Sequence, residues 1–554
     1  MTDISTEPST DSETVNGPRG AEGAKPGGRA SSIPLMGHDE EPTIFELSRP
    51  GRIGCNLPGC DVPEADPREL LPGVALRDEL PLPELAEPDV VRHFLHLSSL
   101  NYCVDKGFYP LGSCTMKYNP KINDEAVRLP GFARVHPLQP EETVQGAIEI
   151  LWEMQNALAT ILGMDALSLH PAAGAHGELL GLMLIRAYHE HHGQGGRKSI
   201  LVPKAAHGTN PASAARCGYK TVSIDTDDRG LVAMGHLRDL LARHEGDVAG
   251  LMLTNPNTLG LFEEDIEEIS RLVHEAGGLM YCDGANMNAL VGMARPGDMG
   301  FDVMHVNLHK TFSVPHGGGG PGSGPVGVKK ILEPFLPVPQ AVKRDDGTFT
   351  LDHDRPLSIG KIAPFYGAFL AVVRAYTYIR SYGRENLAEI SRNAVLNANY
   401  VRAELGKTFE VAYPRTCMHE CVFTLKALKV KGIRALDVAK RIIDYGYHPP
   451  TMYFPLIVPE CLMIEPTETE SKETIDAFIA AMERIAREVD ENPAVFAAAP
   501  HNAPVRRLDE ALAARHLDVA WTPREAAADS AQAARGGARP GTGREAAAAA
   551  PGDA

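Results

Sequence analysis

Five short stretches of this chain carry residue types that can do chemistry. Asn307-Leu308-His309-Lys310-Thr311-Phe312 closes an apolar run containing Val303, Met304 and Val306. A lysine buried there can hold an aldehyde-bearing cofactor as a Schiff base, whereas an ordinary surface lysine at a strand end would have the same neighbours. Upstream, Tyr281-Cys282-Asp283-Gly284-Ala285-Asn286 puts Asp283 at the end of another apolar run. A carboxylate in that position is costly unless paired; a protonated ring nitrogen would pair it, and an N-cap for a following helix would also occupy it. Pro171 to Glu178 is a run of small residues that opens a helix expected over Leu179 to Tyr188. Free backbone N–H groups at such a helix start suit a phosphate, and a tight turn with helix-packing glycines reads the same way.

Two further stretches have weaker signals. His207-Gly208-Thr209-Asn210-Pro211 offers a histidine able to stack on an aromatic cofactor and move protons, or a plain turn histidine. Thr254-Asn255-Pro256-Asn257-Thr258 offers a hydroxyl for a cofactor, within an Asn-Pro sequence that makes a turn in any case. In chain order, the anion cup, the strand-end acid and the strand-end lysine are what a pyridoxal phosphate site requires. The phosphate needs N–H donors, the pyridine nitrogen needs an acid to keep it protonated, and the aldehyde needs an amine.

The elements that must position these residues follow from hydrophobic period. Short β-like runs occur at Ser199–Pro203, Thr221–Ile224, Gly250–Thr254, Leu279–Cys282, Val303–Asn307 and Pro325–Lys329. Helical runs separate them, with Ile266, Ile269, Leu272 and Val273 on one face. Glu141 to Leu162 repeats with a helical period, and the chain from Ala368 to Tyr382 and from Leu387 to Leu405 reads as helix. Alternation of this kind implies an α/β fold with a mostly parallel sheet, whose ligands sit at the carboxyl ends of the strands. The segments divide as a disordered tail over 1–41, a proline-rich arm over 42–135 and a large cofactor-binding α/β domain over 136–365. A smaller α+β domain over 366–495, an extension over 496–522 and a disordered Ala/Gly/Arg tail over 523–554 complete the chain. The arm contains a helix from Asp89 to Leu100 and is expected to wrap a neighbouring domain or subunit.

Bulk properties exclude several functions. A net charge of −18 over 554 residues disfavours a nucleic-acid partner. No apolar run is long enough to span a membrane, and no charged flank with an apolar core marks a signal peptide. Nine cysteines without a C-x-x-C pair argue against a zinc ribbon or a disulfide scaffold, and a reducing cytoplasm fits. No metal site is expected: His189, His191 and His192 read as a solvated helix end. Gly317 to Gly324 lacks the spacing of a Walker loop and reads as a loop allowing close backbone approach to Lys310.

Longer motifs carry a family resemblance. Tyr109-Pro110-Leu111-Gly112-Ser113-Cys114-Thr115-Met116-Lys117-Tyr118-Asn119-Pro120 and the Ala206 to Ser213 segment are two of them. With Asp283 to Asn286, Asn307 to Phe312 and Met463-Ile464-Glu465-Pro466-Thr467-Glu468, they resemble glycine dehydrogenase (decarboxylating), the P-protein family of the glycine cleavage system. The resemblance runs from about Pro42 to Trp521 and matches the lysine-bearing C-terminal half of the long form. It therefore points to subunit 2 of the split form, in a hetero-oligomer with two copies each of subunits 1 and 2; a long chain cut short is the alternative, disfavoured by the N-terminal arm and tail.

What the resemblance implies is a fold-type I pyridoxal-phosphate enzyme with a seven-stranded, mostly parallel sheet. Glycine would lose CO2, and its aminomethyl group would pass to the lipoyl disulfide of H-protein. Lys310 would carry the cofactor and His207 would stack on it. Ala173, Gly174 and Ala175 would hold the phosphate, Asp283 the ring nitrogen, and Thr254 and His309 other polar groups. Competing readings are another fold-type I decarboxylase, a desulfurase using Cys417 or Cys421, and a non-catalytic scaffold subunit.

Overall fold

The computed structural model describes residues 41–77, 80–317, 322–517 and 519. The tails expected over 1–41 and 523–554 lie outside these residues apart from Glu41, as does part of the glycine run at 318–321. Val505–Ala554 is a unit of its own, with one described helix, Glu510–Arg515, capped by Asp509 Oδ1 accepting from Leu512 N–H at 2.9 Å.

The larger unit is built on a seven-stranded sheet. Its strands are β1 (Ala166–Ser168), β2 (Ser199–Pro203), β3 (Lys220–Ile224), β4 (Val248–Leu253), β5 (Leu279–Gly284), β6 (Val303–Val306) and β7 (Val326–Val328). They run in the order β1-β7-β6-β5-β4-β2-β3, parallel from β6 to β3, with β7 antiparallel to both β6 and β1. All six runs read from sequence are strands. β1 was not among them, because three residues at a sheet edge carry too little pattern to register.

Residues alternate between the two faces of the sheet, and both faces are buried. Leu279 and Tyr281 pack into one apolar cluster with Leu180, Leu184 and Ile185; Met280 and Cys282 pack into another with Ile269 and Val273. Burial on both faces is why β4 is a continuous apolar run, and β5 and β6 are largely apolar, with Asp283 and His305 as exceptions, rather than alternating. The helix Gln145–Leu162 ends where Gly163 takes the left-handed conformation (φ 72) that terminates helices. Among the described residues no helix is long and apolar enough to cross a membrane.

A hairpin of β8 (Gln340–Lys343) and β9 (Phe349–Asp352) leads to the long helix Phe369–Leu405, broken at Gly383 (φ 66), where sequence placed the gap between two helices. A second sheet follows, of β10 (Glu410–Val411), β11 (Cys421–Thr424), β12 (Thr451–Met452) and β13 (Cys461–Ile464), in the order β10-β11-β13-β12. Ile475, Phe478, Met482 and Ile485 on the helix Lys472–Glu491 cover it. Ahead of the large sheet, the segment Leu111–Asn119 lies across both sheets: Leu111 bridges to Ile464 of β13, and Asn119 Nδ2 donates to Ser313 beyond β6 at 3.0 Å.

Candidate active site

The loop after β1 delivers the small-residue run. The helix starts at Gly174 rather than near Leu179, with Ala173 as an extended N-cap, so the expected cup is the first helical turn itself. Glycines that weaken a helix locally are tolerated because packing demands them. A Cβ on Gly174 would lie 2.6 Å from Asn307 Oδ1, and one on Gly177 would lie 2.8 Å from His305 Cβ. Gly177 N–H makes the first helical bond, to Ala173 O at 3.0 Å, which leaves the N–H groups of Gly174, Ala175 and His176 to a ligand. Asn307 Oδ1 is buried beside them without a partner. His309 closes the cup. Its Nδ1 accepts from Ser323 N–H at 3.3 Å, and burial, aided by the Lys310 charge, pulls its pKa down to about 4. The ring is therefore neutral and presents Nε2–H.

Asp283 ends β5, as expected, and is 4% exposed. Its Oδ1 accepts from Ala285 N–H at 3.1 Å. Its nearest basic neighbour is His305 on β6, with Nε2 at 3.3 Å but out of line for a hydrogen bond. Burial holds that imidazole neutral, and Tyr281 Oη sits 2.8 Å from its Nδ1. A buried carboxylate with no hydrogen-bonded cation is the setting that a protonated ring nitrogen would complete.

Lys310 is half-buried rather than buried, because β6 stops at Val306 and the lysine stands in the loop beyond. Its charge is felt by groups from every side: His309 and His316 on its own loop, Asp283's neighbours Glu178 and His305, and His419 and Glu420 from the second sheet. Ser313, three residues on, is held at φ 56, with Ser313 Oγ donating to Tyr118 O at 3.0 Å. Thr254 is at the end of β4, and its Oγ1 is buried without a partner. His207, beyond β2, is exposed; its ring meets Phe454 edge-on at 5.6 Å.

The structure adds residues that sequence reasoning did not single out. Glu178 is buried behind Asp283, and burial together with that carboxylate pushes its pKa up to about 7. Glu420 and Glu465, both buried, accept from the N-terminal segment: Ser113 N–H donates to Glu420 at 2.8 Å and Thr115 Oγ1 to Glu465 at 2.7 Å. Asn286 Nδ2 also donates to Glu465, at 2.8 Å. Burial, then repulsion from Glu465, holds the Glu420 carboxyl well above the usual carboxylate range. Lys117 is buried against Glu468 at 2.6 Å. The only hint in sequence was that Ser113, Thr115, Lys117, Asn286, Glu465 and Glu468 lie in the long motifs and Glu178 at the end of the small-residue run; nothing marked Glu420. His189 departs from expectation: it is buried, with Nε2 2.8 Å from Ala249 O and Nδ1 3.0 Å from Gln194 Oε1, while His191 and His192 are exposed. Cys417 and Cys421, the desulfurase candidates, are buried, Cys421 within β11, and burial pushes the Cys417 thiol up to about 12, the opposite of the exposed, low-pKa thiol that a nucleophile needs.

Unpartnered Asn307 Oδ1 and Thr254 Oγ1, a bare helix start, a buried acid without a hydrogen-bonded cation and a lysine fit pyridoxal phosphate. Sheet and site together define a fold-type I pyridoxal-phosphate enzyme. Residues 71–338 match the family model described as Glycine cleavage system P-protein, and residues 390–505 that described as Glycine dehydrogenase, C-terminal domain. The chain is 60% identical over 480 residues to the probable glycine dehydrogenase (decarboxylating) subunit 2 of Caldanaerobacter subterraneus subsp. tengcongensis, covering 86% of this chain and 98% of that one. A protein of the same description from Chloroherpeton thalassium is 56% identical over 489 residues, 88% of this chain and 98% of that one. The chain belongs to the glycine dehydrogenase (decarboxylating) subunit 2 family.

Solved structures agree on the fold. A glycine decarboxylase (P-protein) of the glycine cleavage system, in inhibitor-bound form, superposes with a TM-score of 0.60 at 21% identity, over 76% of this chain and 93% of that one. A Lactobacillus brevis glutamate decarboxylase gives 0.58 at 13% identity, over 76% and 96%.

Proposed function

We propose that this chain decarboxylates glycine on pyridoxal phosphate and passes the aminomethyl group to the lipoyl disulfide of H-protein, as the lysine-bearing partner of a P-protein subunit 1. The observation that carries the reading is Asp283, a buried strand-end carboxylate without a hydrogen-bonded cation, on the strand that neighbours the one leading to Lys310. When bound, the cofactor supplies the sink for the electron pair left as CO2 departs. Lys310 would offer the amine that holds it. Asp283 holds the proton on the ring nitrogen. Ala173, Gly174 and Ala175 hold the phosphate by backbone N–H groups, with His309 Nε2–H beside them. Thr254 Oγ1 bonds a ring substituent. His207 covers the ring face and exchanges protons at the reacting centre.

The assembly has two copies of each subunit. Support for a partner surface comes from the exposed apolar side chains Ile53, Leu57, Val62, Leu82, Phe94 and Leu95 in the arm at 42–135, each at least half exposed. The two sheets support a large domain over 136–365 and a small one over 366–495, followed by the extension at 496–522. Nine free cysteines suit a reducing cytoplasm.

Glycine–bicarbonate carbon exchange with lipoylated H-protein, with and without purified subunit 1, tests the reading. Exchange is expected only with both subunits. Full exchange by this chain and H-protein alone overturns the split-subunit assignment, and none with all components overturns the activity. In parallel, borohydride reduction is expected to fix the cofactor on the Lys310 peptide of the wild type and to fix none in Lys310→Ala.

A further inference from the structure

Glu178, Thr209 and His207 form a hydrogen-bonded chain of which the reaction outlined above uses only His207. Thr209 Oγ1 lies 2.7 Å from Glu178 Oε1 and 2.8 Å from His207 Nδ1. Ser213 Oγ donates to the other oxygen, Glu178 Oε2, at 2.9 Å. Glu178 is 4% exposed, whereas His207 is exposed and its Nε2 has no hydrogen bond among the described residues. One hydroxyl thus links a buried acid to an open imidazole nitrogen.

A hydroxyl carries one proton, so the chain has two self-consistent states. With Glu178 ionised, Thr209 donates to it and accepts from His207 Nδ1–H, leaving a lone pair on Nε2. With Glu178 protonated, the carboxyl donates to Thr209, Thr209 donates to His207 Nδ1, and Nε2 bears hydrogen. The backbone N–H of Thr209, 3.3 Å from Nδ1, supports the second state.

We propose that Glu178 is a positioning residue that acts through Thr209 as the proton store of His207, setting whether Nε2 accepts or donates. In the accepting direction Nε2–H forms with a proton from the reacting centre. The Nδ1–H bond breaks and its proton passes to Thr209 Oγ1, while the hydroxyl's own proton passes to Glu178 Oε1. No electrons change hands, the imidazole stays neutral, and the carboxylate charge is cancelled. The reverse sequence returns the proton. The groups facing Glu178 are Asp283 and Tyr281 from β5, His305 from β6, Lys310 beyond it, and His207 itself. Burial and the Asp283 charge raise the Glu178 carboxyl to about 7, against the lowering effect of the Thr209 and Ser213 hydrogen bonds and the Lys310 charge, so both states are accessible near neutrality. The inference rests on His207 facing the reacting centre.

Diethyl pyrocarbonate acylates the free Nε2 lone pair, so its rate at the His207 peptide, read by mass spectrometry on the full chain without cofactor from acid to alkaline pH, reports the tautomer independently of turnover. The wild type is expected to show an inflection near pH 7 in addition to that of the imidazole. Glu178→Gln and Thr209→Val are expected to lose it and Thr209→Ser to keep it, with exchange in the full complex about 10- to 100-fold slower in the first two. An unchanged acylation profile in Glu178→Gln, or in Thr209→Val if the former does not fold, overturns the proposal. His207→Asn with wild-type exchange overturns instead the placement of His207 at the reacting centre.

Discussion

Lys117 Nζ donates to the carbonyl oxygen of Thr311 at 2.9 Å, so a buried cation from the N-terminal segment fixes the residue next to Lys310. The same ammonium pairs with Glu468 at 2.6 Å and donates to Asn288 Oδ1 at 3.1 Å. One side chain thus joins the first motif, the loop after β5, the loop after β6 and the end of the second sheet.

Removing that cation strands a buried carboxylate. Lys117→Met is expected to destabilise the fold by about 3–5 kcal/mol, read as a lowered urea midpoint. Combining it with Glu468→Leu removes the stranded charge and is expected to recover most of the loss. A single variant as stable as the wild type would show that the pair does not hold the site together.

Asp283→Asn keeps the shape of the acid and removes its charge. An opposing charge at this range shifts a partner's pKa by about 1–3 units, so glycine–bicarbonate exchange is expected to fall about 10- to 1000-fold. Borohydride trapping at Lys310 should persist. Loss of trapping with exchange would assign Asp283 to cofactor retention instead.

Gly174→Ala puts a methyl 2.6 Å from Asn307 Oδ1 and crowds the bare N–H groups. Loss of one anion hydrogen bond of about 1.5–3 kcal/mol corresponds to roughly 10- to 150-fold weaker cofactor binding. Titration of the cofactor's absorbance against protein measures it, and unaltered affinity would place the phosphate elsewhere.

Glu263 supplies a pH test away from the chemistry. It is 1% exposed, Val232 N–H donates to it at 2.9 Å, and burial pushes its carboxyl from 4.5 up to about 7. The folded state therefore binds a proton that the unfolded state has released, so this stability is complete below about pH 4.5 and is lost as pH rises through about 7. Relative to Glu263→Gln, the wild type should lose about 3 kcal/mol across that window, measured by denaturant unfolding at stepped pH. A constant difference would mean that the carboxyl titrates normally.

The linear chain displayed its strands, its acid and its lysine because each is a local pattern. An apolar run followed by Asp283 or by His309-Lys310 needs only nearby residues to be read, and two-sided burial makes the central strands largely apolar. Helix starts were less legible. Gly174 and Gly177 looked like loop, and they are helical because Asn307, His305 and Gly324 press against them from more than 100 positions away. His189 looked like a solvated helix end because its partner, Ala249 O, belongs to another strand.

Sequence by itself thus determined the parallel α/β layer and the order of anion cup, acid and lysine along it. Only the tertiary structure decided that Glu178 stands behind Asp283, that Glu420 and Glu465 receive the Ser113–Thr115 turn, and that Lys117 grips Thr311. Those pairings join residues about 100 to 350 positions apart, and the polar groups of the Glu420, Glu465 and Lys117 sets are tolerable in the interior only because folding brings each donor to its acceptor.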